Sequence, residues 1–477
     1  MIISNGISAQ SNEERQQITK DYDLHELQEL EEEFEADYKA KREKVLDHAL
    51  QNNIDVVIEK ENGGIAVLQN VLDDGTLIYR QTYNVGSAET SSTNELQSGG
   101  SLGLELNGNG ITAGVWDGGL VLDTHQELSG RISIGTNNEN QDYSSHATHV
   151  TGTIAASGVD TNAKGMATDA DIVSYYFEND LAEMAQEASA GMLISNHSYG
   201  ASPDQIPASV FGAYVNRAAS LDNLLYNAPF YSVQFAAGNS RNQGFNSSDN
   251  GYDLLTSTSL AKNVIVVANV NEVANYTGPN SVNMSNTSSW GPTDDGRIKP
   301  DISTKGVNVY SSIATSNTDY SFISGTSMAS PGVSGSLVLV QELNNKLNGS
   351  FLRAATLKAI MINSAREAGN DPGPDYRFGW GLMNTEGMAR MIINDGFTAL
   401  VEENELQNNA NYTKTVQAIG SNTPLKLSIA WQDLAGPTQG FSDEDNPTPR
   451  LVNDLDVRIT DSNGNEYQPW TLDASFP

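Results

Sequence analysis

From residue 111 onward, short apolar runs of strand length alternate with stretches of helical periodicity, and this alternation restricts the fold more than any other feature of the chain. The runs at 111–116, 172–176, 193–196, 233–237 and 264–270 read as strands, and 182–192 reads as a helix between two of them. Strands joined through helices pair in parallel, because only a long crossover returns the chain to the same end of the sheet. The expected core is therefore an α/β unit, a parallel β-sheet flanked by helices, over residues 98–395.

Different patterns border this unit. Between residues 23 and 50, Leu24, Leu27, Leu30, Phe34, Tyr38, Val45 and Ala49 recur at helical spacing amid Glu and Lys, predicting one long amphipathic helix. Three strand-like segments follow at 55–59, 65–71 and 76–81, separated by Asn-Gly-Gly and Asp-Asp-Gly turns, so residues 11–97 read as a small α+β unit. Residues 86–110 are rich in Ser, Gly, Thr and Asn and are expected to be an exposed linker. After about residue 395, runs such as 425–431 and 455–459 lie between Gly, Pro and Asn turns, predicting an all-β domain over 396–477. Its four or five strand signals are fewer than a closed sandwich needs, so it reads as truncated. The uncharged first ten residues fit either the tail of a secretory signal or an ordinary terminus.

Composition narrows the chemistry. The 477 residues contain no cysteine, which excludes disulfides, thiolate metal sites and cysteine nucleophiles. A net charge of −34 opposes nucleic acid and anionic membranes as partners. No apolar run has the length of a membrane span.

Four positions can carry catalysis. Ser327, in Gly325-Thr-Ser-Met-Ala-Ser-Pro331, stands at an expected helix start, where backbone N–H groups converge on a nucleophilic oxygen. His146, in Ser145-His-Ala-Thr-His-Val-Thr-Gly152, also precedes a helical run and offers an imidazole of near-neutral pKa. Its neighbour His149 raises the alternative of a metal pair, but neither a His-Glu-x-x-His pattern nor a third ligand accompanies them. Asp117 ends the strand Val115-Trp-Asp117, at the edge where open α/β sheets place their sites. Asn239 ends Ala236-Ala-Gly-Asn239 in the same way and offers an uncharged amide donor. Taken singly, each has an ordinary capping or turn reading. His25, His48, His125 and His197 read as structural or solvated.

Taken together with Ile194-Ser-Asn-His-Ser-Tyr-Gly200 and Ser289-Trp-Gly-Pro-Thr-Asp-Asp-Gly-Arg-Ile-Lys-Pro-Asp301, these motifs resemble the subtilisin-like serine proteases across roughly residues 111–390. The resemblance implies a secreted serine endopeptidase in which Ser327 attacks, His146 moves the proton, Asp117 orients the imidazole and Asn239 helps hold the oxyanion. It implies that Ser198, Tyr199 and Gly200 present a strand edge to a polypeptide substrate, with Ala236, Ala237 and Gly238 walling the specificity pocket. It also implies that residues 11–97 act as a pro-region and intramolecular inhibitor. No cofactor is required for the chemistry, but structural calcium is expected, and Glu127 matches a position where many relatives have an Asp ligand. Asp443, Asp445, Asp454 and Asp456 in the C-terminal segment fit either calcium or solvated charge. Ala147 and Gly118 depart from the usual Gly and Ser/Thr, with a narrower cleft and a lost hydroxyl as the expected effects.

Two rivals remain. Gly99-Gly-Ser101-Leu-Gly103 matches a nucleophile elbow, but it lacks the strand before and the helix after that such an elbow needs. A catalytically silent binding or cell-surface module would predict loss of an active-site residue, whereas Asp117, His146, Asn239 and Ser327 are all present.

Overall fold

The computed structural model describes residues 10–52, 54–59, 65–71, 77–82, 88–418, 420, 424–440 and 442–477. The first nine residues, the two expected N-terminal hairpin turns and the start of the expected linker lie outside them.

The N-terminal part comprises α1 (Asn12–Thr19), α2 (Leu24–Asn52), β1 (Val57–Glu59), β2 (Ile65–Val71) and β3 (Leu77–Thr82). Ser11 starts α1 with a reciprocal capping box to Glu14. The apolar stripe of α2 divides between two partners. Leu27, Leu30 and Phe34 join the main core, while Val45 and Ala49 pack with Leu68 and Val71 in a separate cluster.

The central unit contains β4 (Thr112–Asp117), β5 (Ile132–Ile134), α3 (Ser145–Ala155), β6 (Asp171–Tyr176), α4 (Asp180–Ser189), β7 (Ile194–His197), β8 (Tyr199–Ala201), α5 (Asn216–Asn227), β9 (Ser232–Ala236), β10 (Ile265–Val270) and β11 (Ile302–Lys305). Seven of its strands form one sheet in the order β11-β10-β9-β7-β4-β6-β5. All of its pairings are parallel. Strands β4, β7, β9 and β10 are buried along their whole length; β10 (Ile-Val-Val-Ala-Asn-Val) is a nearly continuous apolar run, whereas β7 (Ile-Ser-Asn-His) and β9 (Ser-Val-Gln-Phe-Ala) also bury polar side chains. The hairpin β12 (Val309–Ser312) and β13 (Tyr320–Ile323) leads into α6 (Thr326–Asn348), followed by α7 (Ala354–Ser364) and α8 (Thr385–Ile393). Almost the entire length of α6 is buried against the sheet.

Two expectations need correction. The linker is packed structure from residue 88 on: Thr93 Oγ1 contacts Ser336 Oγ at 2.6 Å and Thr385 Oγ1 at 3.0 Å, and Gln97 Nε2 donates to the carbonyls of Gly165 and Met166 at 2.9 and 2.7 Å. Its small polar side chains form buried hydrogen bonds to the central unit instead of facing water. The C-terminal segment contains, among the described residues, only the two-residue strands β14 (Ile459–Thr460) and β15 (Glu466–Tyr467). Among the described residues the expected strand at 425–431 has no ladder partner, and its Leu425 and Leu427 are each 50% exposed. Alternation supplies a face, but a strand needs a neighbour to bond.

Candidate active site

Asp117 is the last residue of β4 and is fully buried. The Ser144 side chain caps α3 by accepting from the His146 and Ala147 N–H groups, which places His146 in the first turn. The imidazole Nδ1 then lies 2.6 and 2.8 Å from the two carboxylate oxygens of Asp117. The Gly118 N–H donates to Asp117 Oδ1 at 2.7 Å, so the backbone supplies a donor at the position where the usual hydroxyl is missing. The Ala147 methyl packs inward with Val121 and Leu128, so the expected narrowing of the cleft does not occur.

Ser327 is the second residue of α6, and its Oγ donates to the Ser198 carbonyl at 3.0 Å. Pro331 sits beyond the first turn of α6 and has no N–H to offer the Ser327 carbonyl four residues earlier. Ser198 Oγ fills that gap by donating to the Ser327 carbonyl at 2.6 Å. Asn196 Nδ2 donates in turn to Ser198 Oγ at 2.8 Å, and Ser334 Oγ donates to Asn196 Oδ1 at 3.1 Å. The helix interruption is thus converted into a buried tie between the nucleophile-bearing turn and the end of β7.

Asn239 follows β9 and is tied to the same helix start. Its Oδ1 accepts from the Thr326 N–H at 2.8 Å, and Thr326 Oγ1 accepts from the Gly238 N–H at 2.9 Å. With the carbonyl end of the Asn239 amide engaged, its Nδ2 end is the donor left to face an anion. The Ser327 N–H, in the first turn of α6, needs no intrahelical acceptor and can act beside it.

Ala236, Ala237 and Gly238 are buried beside this corner, and the Ser289 N–H donates to the Gly238 carbonyl at 2.8 Å. The edge formed by Tyr199, Gly200 and Ala201 is covered: β8 pairs antiparallel with β3, with Thr82 opposite Tyr199, Gln81 opposite Gly200 and Arg80 opposite Ala201. The Tyr199 side chain points the other way, its hydroxyl donating to Asp180 Oδ2 at 2.7 Å. That cross-unit strand pairing had no local signal in the sequence.

Several other readings are settled by their surroundings. His149 is buried, its Nε2 lies 3.2 Å from the Ser321 carbonyl, and burial lowers its pKa to about 3, which suits a neutral packing residue. His125 Nε2 lies 3.0 Å from the Asp319 carbonyl. Ser101 is exposed between turns, with no strand before it and no helix after it. The Glu127 carboxylate accepts from the N–H groups of Gly158, Val159 and Asp160 at 2.7, 3.0 and 2.7 Å, from Ser157 Oγ at 3.2 Å and from Tyr320 OH at 2.7 Å. Five donors engage the lone pairs a calcium ion would need, so Glu127 anchors a loop here instead of serving as the expected ligand.

Comparison with known proteins gives the same outline. The chain is 27% identical over 356 residues to the serine protease/ABC transporter B family protein tagB of Dictyostelium discoideum, covering 52% of this chain and 18% of that protein. Shorter matches reach 49% identity over 59 residues with a C5a peptidase of Streptococcus pyogenes (12% of this chain, 5% of that protein) and 43% over 80 residues with a PII-type proteinase of Lactococcus lactis subsp. cremoris (17% and 4%). The matches thus cover less than a fifth of the length of each of these relatives. The profile of the subtilase family matches residues 108–381, more than half of the sequence and the whole of the parallel sheet, and the chain belongs to that family.

Proposed function

We propose that this chain is a secreted serine endopeptidase that hydrolyses polypeptides through Asp117, His146 and Ser327, with Asn239 in the oxyanion hole. The observation that carries the reading is the locked corner in which Thr326 and Ser327, at one helix start, are bonded to both Asn239 and Ser198 while the Asp117 carboxylate holds His146 Nδ1. In this mechanism Ser327 Oγ attacks the scissile carbonyl and His146 Nε2 takes its proton. The negative oxygen of the tetrahedral species receives Asn239 Nδ2–H and the Ser327 N–H. Collapse breaks the C–N bond as His146 returns the proton to the leaving amine, and water releases the acyl group by the same route. Small residues at 236–238 leave room for a large apolar side chain next to the cleaved bond.

The N-terminal unit fits the role of an intramolecular inhibitor because β3 covers the edge that a substrate strand would use. Since residues from 88 on pack into the central unit, the cut that frees the inhibitor falls before Ala88. No helix among the described residues is long and apolar enough to cross a membrane. The test is mass spectrometry of a diverse peptide mixture incubated with the protein and with its Ser327→Ala variant. Cleavage after preferred residues only by the unaltered protein supports the reading, and identical peptide patterns from the two overturn it.

A further inference from the structure

Away from the catalytic corner, Asp253, Asp294 and Asp445 each turn one carboxylate oxygen toward a common point, and these oxygens lie within 4.8 Å of one another. The three residues come from three segments: the loop between Asn239 and β10, the loop between β10 and β11, and the C-terminal segment. Clustered acid groups alone mean little, but the bonding at this cluster is lopsided. Asp253 is only 6% exposed, and its Oδ2 accepts from Asn246 Nδ2 at 3.2 Å. Asp294 Oδ2 accepts from Gln439 Nε2 at 2.5 Å. The Oδ1 atoms of both residues are buried and have no hydrogen-bond partner among the described residues. Both stand over Gly212, where an added Cβ would come within 2.0 Å of Asp294 Oδ1 and 2.2 Å of Asp253 Oδ1. The outer oxygens are thus held by amides while the inner ones converge unpartnered in a cradle kept open by a glycine. Unpaired buried carboxylates are costly, and burial together with the neighbouring acids pushes the Asp294 carboxyl up to about 7 and that of Asp253 well above its usual range.

We propose that Asp253, Asp294 and Asp445 form a calcium site that clamps the C-terminal segment to the two loops beside the specificity pocket. Calcium takes oxygen ligands at about 2.3–2.6 Å in flexible geometry, so oxygens on opposite sides of the ion stand roughly 4.6–5.2 Å apart. Magnesium binds at about 2.0–2.1 Å, demands a regular octahedron and keeps its water, which suits three carboxylates from separate segments poorly. The clamp would reinforce contacts already on that face. Lys262 Nζ donates to Asp433 Oδ2 and the Leu434 carbonyl, both at 2.5 Å, and the Arg450 N–H donates to Asp295 Oδ2 at 3.1 Å. Because Asp253 lies in the loop that leaves Asn239, occupancy would also fix the path of the chain leaving the oxyanion hole.

The site does not depend on the peptidase reading, since a chain that hydrolysed nothing would bind calcium equally. The test is isothermal titration of chelator-stripped full-length protein with calcium chloride and with magnesium chloride, in the Ser327→Ala background to prevent self-cleavage. Asp253→Asn and Asp445→Asn are titrated alongside, with circular dichroism to verify folding. The expected result is that each variant loses one calcium site or binds there at least tenfold more weakly, with magnesium weaker than calcium in the parent. If the buried Asp253→Asn fails to fold, the exposed Asp445→Asn decides the question alone. Unchanged calcium stoichiometry and affinity in Asp445→Asn, no calcium binding by the parent at roughly 10 mM, or magnesium binding as tightly as calcium would each overturn the assignment.

Discussion

If the N-terminal unit acts as the proposed intramolecular inhibitor, the divided apolar face of α2 allows inhibition to be separated from the unit's own folding. Phe34 is 7% exposed and belongs to the same core cluster as Ala182 and Ala185 of α4 and Leu221 and Leu225 of α5, so its ring is buried in the central unit. Val45 is fully buried but packs with Leu68 and Val71 inside the N-terminal unit. Replacing a buried phenylalanine by alanine costs about 3–5 kcal/mol. In Phe34→Ala that cost falls on docking, and at about 1.4 kcal/mol per tenfold it weakens inhibition by roughly 10² to 4 × 10³. The polar contacts nearby, Arg42 Nη1 to Glu178 Oε1 at 2.8 Å and Tyr38 OH to Glu178 Oε2 at 3.0 Å, remain in place. They do not replace the apolar loss, because partly exposed ion pairs contribute about 1 kcal/mol or less. The assay is inhibition of the mature enzyme by the separately added N-terminal segment, either unaltered or carrying Phe34→Ala or Val45→Ala, with the unfolding of each segment measured in parallel. Phe34→Ala should raise the inhibition constant at nearly unchanged segment stability, whereas Val45→Ala should lower segment stability. Equal inhibition constants for Phe34→Ala and the unaltered segment would refute the assignment of that half of α2 to docking.

Two further outcomes follow from the site and its support. Asn239→Leu should lower kcat by about 10² to 10³ (roughly 2.7–4 kcal/mol) with KM little changed, a range that is subtilisin's own and is carried over through the family; a loss confined to KM would contradict an oxyanion role. Glu183, which accepts from Trp116 Nε1 at 2.9 Å and from Asn138 Nδ2 at 2.7 Å, is held by burial at a pKa of about 8, against 4.5 for a free side chain. Between those values the folded state binds more protons than the unfolded state, so stability should fall as pH rises from about 4.5 to about 8, by at most about 1.4 kcal/mol per unit. Urea unfolding of the Ser327→Ala protein across that range should show this slope, and Glu183→Gln should flatten it; an unchanged slope in the variant would remove Glu183 as its source.

What could be read in the sequence follows the range of the interactions involved. The buried strand β10 announces itself as an apolar run, and the corner residues stand at strand ends and helix starts, which are local features. The tie between Ser198 and Ser327 has no local signal in the sequence, since its donor lies 129 residues from the carbonyl it serves. The pairing of β3 with β8, the burial of Thr93 against Ser336 and the convergence of Asp253, Asp294 and Asp445 join distant segments, and no periodicity records them. Only Asp445 of that cluster drew notice in the sequence, through its acidic neighbours. The C-terminal segment failed in the opposite sense, since its strand-like alternation is present but the described residues supply it with few partners.

The central claim is that one serine is activated by one histidine, and covalent labelling tests it most directly. A fluorophosphonate probe should form a single adduct, located on Ser327 by peptide mass spectrometry. Asp117→Asn and His146→Ala should each suppress the adduct while leaving the protein folded. An adduct on Ser101 or another serine, or labelling of Ser327 at an unchanged rate in His146→Ala, would contradict the account.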